Sequence, residues 1–188
     1  MTDKKADIFR CGKEIFSARG FKDTKVSDIT EMAGIAVGTF YSFYDSKEAL
    51  FLDIYLEENA KLKTRILEKV DFSEPPVEAV KKTMAINLEG MASNPILKEW
   101  YNRDVFDKIE RCYRDKNGKN DAVAMHDISA DLVRKWQENG KIRTDIDFEM
   151  ILALFHSIIS IDLHKEEIGI EFFPRIMDYL AEFILKGL

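Results

Sequence analysis

Between Thr24 and Ser46 the chain carries two short apolar-periodic segments joined at a glycine, TKVSDITEMAGIAVGTFYSFYDS, and this spacing constrains the fold more than any other feature. In the first segment Val26, Ile29 and Ala33 share one helical face, Thr24 occupies the position of an N-cap, and Gly34 closes the helix. A further helix can begin two or three residues later. Its inner face holds Phe40 and Tyr44, four residues apart, with Val37 near the edge. Gly38, Thr39, Tyr41 and Ser42 then point away from that face. Upstream, Ile8, Gly12, Ile15 and Phe16 mark an amphipathic helix over residues 4–18 that Gly20 ends, and Gly12 on its apolar face lets another helix come close. Two short helices at a tight glycine-containing turn, braced by a preceding helix, form a helix-turn-helix.

Downstream the periodicity stays helical. Ser46 caps a long helix over residues 46–69 with Phe51, Ile54, Tyr55 and Leu62 as its apolar stripe. The paired prolines of DFSEPP break it, and residues 75–92 resume with Val77, Val80, Met84, Leu88 and Met91 at helical spacing. Shorter helices are predicted at 95–101 and 103–116, a loop at NGKN, and a helix at 121–138. In DFEMILALFHSIISIDLH the polar positions between Phe148 and Leu163 are Glu149, His156, Ser157, Ser160 and Asp162, so this helix is expected to be buried on most sides. It is too short and too interrupted to cross a bilayer. Phe173, Ile176, Met177, Leu180 and Ile184 define a last amphipathic helix. No strand pattern competes with the helical one, and only nine glycines and four prolines in 188 residues favour helices, so the fold class is all-α.

Charge is distributed unevenly. The whole chain carries −6, but residues 1–47 hold 8 Lys and Arg against 7 Asp and Glu, leaving 20 and 27 for the remainder. Only the first part can approach phosphates without large repulsion. The N-terminus has no continuous apolar run of a secretory signal, so a cytoplasmic protein with no membrane span is expected, and Cys11 and Cys112 read as free thiols. No nucleophile with a base, paired carboxylates or metal cluster marks a catalytic site, and no cofactor is implied. His156 and His164 lie about 12 Å apart along a helix, beyond shared ligation of a metal. The apolar side chains Met84, Met91, Trp100, Phe106, Tyr113, Met125 and Phe155, with His156 as a polar handle, are candidates to line an effector cavity, although most such residues are core in an average domain.

The order of a helix, then GF, TxVxDI, AGI, GTFY and SKEALF over residues 5–52 resembles the tetracycline-repressor (TetR) family of bacterial transcription regulators. The resemblance implies an all-helical homodimer with an N-terminal three-helix DNA-binding domain, residues 1–47, and a larger C-terminal ligand-binding and dimerisation domain, residues 48–188. It assigns VGTFYSFY to the recognition helix. Thr39 and Tyr41 would contact DNA, Tyr41 through its hydroxyl to a phosphate, and Lys47 would be another phosphate contact. Thr24 and Lys25 would meet the backbone at the start of the preceding helix, and Val37, Gly38, Ser42 and Phe43 complete the candidate set. Two departures are visible: Ala36 stands where the family commonly has a capping Ser or Thr, and Phe43 cannot donate a hydrogen bond to phosphate. The implied partners are a palindromic double-stranded operator, a small apolar or amphipathic effector that releases it, and a second copy of the chain docking through residues of about 147–166 and 171–186. Repression is the expected mode. Activation, or a helical interaction protein that keeps the helix-turn-helix as scaffold, are the alternatives.

Overall fold

The computed structural model describes residues 3–117, 127–173 and 175–188. All regular structure among them is helical: α1 (Lys4–Arg19), α2 (Val26–Met32), α3 (Val37–Tyr41), α4 (Lys47–Lys69), α5 (Pro76–Ser93), α6 (Pro95–Lys98), α7 (Arg103–Asn117), α8 (Asp127–Glu138), α9 (Phe148–Leu163), α10 (Lys165–Ile168) and α11 (Arg175–Gly187). Single 3₁₀ turns lie at Glu99–Tyr101 and Ile170–Phe172. The chain forms two compact units, Met1–Ile66 with Asn87–Asp121, and Leu67–Ile86 with Ala122–Leu188, so two of the three divisions fall inside α4 and α5.

In the first unit, α1 begins at Asp3, whose carboxylate accepts from the Lys5 and Ala6 N–H groups at 3.0 and 3.3 Å. It ends at Gly20, which has φ +79° and donates its N–H to the Phe16 carbonyl. Gly12 has the role its position suggested: a Cβ there would stand 2.7 Å from Leu50 Cδ2, so any larger residue would force the buried Leu50 side chain to shift. Ile8, Phe16, Ile29, Phe40, Leu50, Phe51 and Ile54 are essentially inaccessible, each full burial contributing about 1.5–3 kcal/mol.

The start of α2 corrects the expectation for Thr24. The residue preceding the helix is Lys25, and the buried Thr24 hydroxyl donates instead to the Gly20 carbonyl at 2.7 Å, one turn back. The Asp28 carboxylate accepts from the Lys25 N–H at 3.0 Å, which is half of a capping box. α2 ends in a Schellman motif: Ile35 N–H reaches the Thr30 carbonyl, Gly34 N–H the Glu31 carbonyl, and Gly34 takes φ +65°. The helix α3 is shorter than the eight residues VGTFYSFY and stops at Tyr41, although the N–H groups of both Phe43 and Tyr44 turn back to the Phe40 carbonyl and so carry Tyr44 into the core. At the head of α4, Ser46 Oγ accepts from Ala49 N–H at 3.1 Å as a cap should.

Farther along α4, Glu57 and Glu58 receive Lys13 from α1 and Lys61 from their own helix. Asn94, whose side-chain oxygen caps α6, donates its amide to Glu58 at 2.7 Å. Burial works to raise the Glu58 carboxyl, but hydrogen bonds from Lys13, Lys61 and Asn94 outweigh it and hold it down at about 2. The network joins three elements of one unit.

In the second unit α11 packs on α9 around Ile158, Met177 and Ala181. α8 ends at Gly140, with φ +64°, and the Lys141 N–H returns to the Trp136 carbonyl. Among the described side chains of α9 one face is covered by the unit's own core and another is open in the single chain. Ile151 and Ile158 are buried, whereas Met150 is 52% exposed. On α11 Tyr179 and Phe183 stack at 5.9 Å and are 51% and 66% exposed. The predicted loop and helix start between 118 and 126, Met125 included, lie outside the described residues, as does the His156 side chain.

Candidate nucleic-acid interface

Three phenylalanines anchor the site from beneath. Phe16 of α1 and Phe51 of α4 meet edge to face at 5.0 Å, and Phe21 in the α1–α2 loop meets Phe51 at 5.0 Å. The Lys47 ammonium sits 4.2 Å over the Phe21 ring and donates to the carbonyls of Phe21 and Thr24, both at 2.7 Å. Burial lowers the Lys47 pKa. From the opposite side of the same loop, Glu99 accepts the Phe21 N–H at 2.9 Å, and a Cβ on Gly20 would come 2.8 Å from that carboxylate oxygen. Lys22 pairs with Asp104 at 2.6 Å, and Lys108 lies 5.9 Å over the Phe21 ring. The loop that leads into α2 is therefore held by side chains from α4, from the 3₁₀ turn after α6, and from α7.

On this base α3 turns one face inward and one outward. Phe40 is fully buried and Tyr44 is 4% exposed, with Lys5 lying 5.6 Å over the Tyr44 ring. Burial, with the charges of Asp53 and Asp3 added, pushes the Tyr44 hydroxyl up to about 12, so it stays neutral. Val37 and Tyr41, one turn apart, are 46% and 53% exposed, and Phe43 is 41% exposed. Gly38 and Ser42 are also exposed, the Ser42 hydroxyl donating to the Gly38 carbonyl at 3.3 Å, and Thr39 is half-buried. Ala36 precedes the helix with no side-chain hydrogen bond to its first turn, as its methyl dictates.

Of the nine candidate residues, Lys25 precedes α2, Val37, Gly38, Thr39 and Tyr41 lie on α3, and Ser42 and Phe43 follow it, all of them exposed or half-buried. Thr24 and Lys47 face the interior of the unit and their polar atoms are engaged by the loop. The role of Glu99 could not have been found by local pattern, because its partner is 78 residues away. Met32, 47% exposed at the end of α2, is an apolar surface residue that the sequence reading passed over. Three residues after the buried Ile29, it lies at the edge of the apolar face of α2, so periodicity alone assigns it to the core.

The candidate effector residues divide between the units. In the first, Trp100 stacks on Tyr55 at 5.7 Å and takes the edge of Phe106 at 4.5 Å, Met91 is buried and Tyr113 is half-buried. In the second, Met84 and Phe155 pack against the α9–α11 core. Among the described residues no group of three or more His, Cys, Asp or Glu is placed to hold a metal ion, and no helix is long and apolar enough to cross a membrane.

Residues 8–54 match the sequence pattern of the bacterial regulatory proteins of the tetR family. The chain is 32% identical over 91 residues to the uncharacterized HTH-type transcriptional regulator YerO of Bacillus subtilis; the match takes in 47% of this chain and 32% of that relative, so the chain spans about a third of the length of the relative it matches. Over nearly the whole chain the fold is that of solved structures with much lower identity. FadR of Thermus thermophilus, a TetR-family transcriptional repressor solved in complex with lauroyl-CoA, is 22% identical with TM-score 0.64 and coverage of 98% of this chain and 94% of its own. FadR of Bacillus subtilis, solved with stearoyl-CoA, is 16% identical with TM-score 0.62 and coverage of 97% and 98%.

Proposed function

We infer from its membership of the tetR family of bacterial regulatory proteins that this chain is a cytoplasmic, non-enzymatic regulator of transcription that binds a palindromic operator as a homodimer and is released by a small effector. The observation that carries the reading is the division of α3: Phe40 is fully buried, while Val37 and Tyr41 on the same short helix are about half exposed. An aromatic hydroxyl and small side chains facing outward from a braced helix-turn-helix suit a major groove. Residues 1–47 are assigned to DNA and residues 48–188 to effector and partner, a division by role that differs from the packing units. Tyr41 and Lys25 contact phosphates, Thr39 and Val37 reach base edges, and Lys47 acts by holding the Phe21–Thr24 loop.

The exposed Met150, Tyr179 and Phe183 support a second copy as the occupant of the α9 and α11 faces, where the same surface meets itself about a two-fold axis. The dimer sets two α3 helices one turn of DNA apart, about 34–36 Å. For the effector, an acyl-CoA is the class favoured by likeness to the two FadR structures, and the aromatic and methionine side chains suit an acyl chain. Among the described residues of the second unit, Thr83 Oγ1 and Trp136 Nε1 are buried without a hydrogen-bond partner, and a polar group on the effector would satisfy them. An effector shifts the protein away from DNA only if it binds the non-DNA-binding state more tightly.

The test is enrichment from a random duplex pool by purified protein shown to be dimeric by sedimentation, with Tyr41→Ala as control. Recovery of a palindrome by wild type alone, and its release by lauroyl-CoA, are expected. A monomer, or a dimer that enriches nothing, contradicts the reading.

A further inference from the structure

Within the recognition surface, residues 36–44 contain no Arg, Lys, Asn, Gln, Asp or Glu. Those are the side chains that read guanine, adenine and cytosine edges by paired hydrogen bonds. What α3 and the two residues after it present outward is apolar and hydroxylic: Val37 at the first helical position, 46% exposed and the sole aliphatic side chain among them, the half-buried Thr39, Tyr41, Ser42, whose hydroxyl is engaged with the Gly38 carbonyl, and the ring of Phe43 beyond the helix end. The nearest candidate cation that sequence would offer, Lys47, is held by two backbone carbonyls at 2.7 Å. In the major groove the feature that an aliphatic side chain distinguishes is the C5-methyl group of thymine.

Gly38 adds an independent observation. Its backbone is not in the left-handed region, and a Cβ built on it meets nothing within 4 Å, so the fold does not require glycine there. Glycine inside a helix weakens it. The absent side chain leaves the backbone of the first turn free to approach the groove floor, which short contacts from Val37 and Thr39 demand.

We propose that this protein reads its operator through thymine methyl groups, with Val37 as the principal specificity-determining residue and Gly38 as the residue that permits the close approach. The inference rests on the DNA-binding reading above. Each half-site then contains at least one thymine, near its centre of contact with α3, whose methyl packs against Val37.

The experiment takes the palindrome enriched by the wild-type dimer and replaces each thymine in turn, symmetrically, with deoxyuridine, which removes the methyl and keeps the base pair. Affinity is read by fluorescence anisotropy at fixed salt. One position should weaken binding about fourfold per half-site, on the order of fifteenfold for the symmetric pair. Val37→Ala should bind the thymine and deoxyuridine duplexes alike, and Val37→Thr, which keeps one methyl, should retain part of the difference; melting temperatures confirm that both variants fold. If the palindrome is bound but is indifferent to every thymine methyl, or if Val37→Ala discriminates as wild type does, methyl reading is overturned while DNA binding stands. If no palindrome is enriched, both fall.

Discussion

The loop at Phe21–Thr24 and the outer face of α3 belong to the same small helical unit and carry similar side chains, yet they use them in opposite ways. In the loop, the Thr24 hydroxyl, the Lys47 ammonium and the Glu99 carboxylate all close hydrogen bonds within the unit, at 2.7–2.9 Å. On α3, Tyr41 and Val37 are about half exposed. The difference teaches that a polar residue in a binding domain is assigned by its partners rather than by its type: the loop holds the surface in place, and α3 supplies what the surface offers.

The largest expected effect is on stability and comes from the loop. Lys47→Ala leaves the Phe21 and Thr24 carbonyls without their cation and should lower the unfolding free energy by about 2–3 kcal/mol, read from chemical denaturation, a figure already reduced for the partial exposure of the ammonium. A loss of under about 0.5 kcal/mol would show that the loop is not held this way and would return Lys47 to the DNA surface. Tyr41→Ala should do the reverse, leaving stability within about 0.5 kcal/mol and weakening operator binding about tenfold per half-site, or ~1.4 kcal/mol. Equal damage to both properties would erase the distinction between the two regions.

The Lys13–Glu58–Asn94 network sharpens the comparison through pH. The Glu58 side chain is 12% exposed, and its carboxyl is held down at about 2, below the ordinary carboxylate value near 4.3. Its contribution is therefore fully present above about pH 4.3 and is lost as pH falls toward 2. Glu58→Ala should destabilise by about 1–2 kcal/mol at neutral pH, with the gap from wild type closing between pH 4.3 and 2; a gap constant over that window would contradict the assignment. The smallest effect is a gain. Ala36→Ser supplies the missing cap of α3 and should add about 0.5–1 kcal/mol, seen as a higher melting temperature.

Much of the first unit was legible in the sequence because its signals are local. The Gly34 turn, the Ser46 cap and the pairing of Phe40 with Tyr44 each lie within one or two helical turns of what they organise, and Gly12, whose partner Leu50 lies on α4, was marked by its place on the apolar face of α1. Thr24 was misread as a cap because its hydroxyl could bond forward or backward, and the Gly20 carbonyl lay one turn behind. Lys47 and Glu99 depended on contacts 23 to 78 residues away, which no periodicity encodes. In the second unit the long apolar run of α9 signals burial without saying by what, since a face covered by the chain's own core and a face open in one chain have the same composition. Ile158 and Met150 illustrate the two outcomes on one helix. The effector residues were the least legible for the same reason: Trp100 stacked on Tyr55 and Met84 packed on the α9–α11 core differ in surroundings rather than in pattern.

The measurement that bears most directly on the outer face of α3 is the operator affinity of Gly38→Ala, taken with its melting temperature. The added Cβ meets no atom of the protein within 4 Å, and alanine is the better helix former by about 0.5–1 kcal/mol. The prediction is a melting temperature equal to or above wild type together with a loss of operator affinity of about tenfold or more. A variant that melts no lower and binds the operator as tightly as wild type would contradict the placement of this face against DNA.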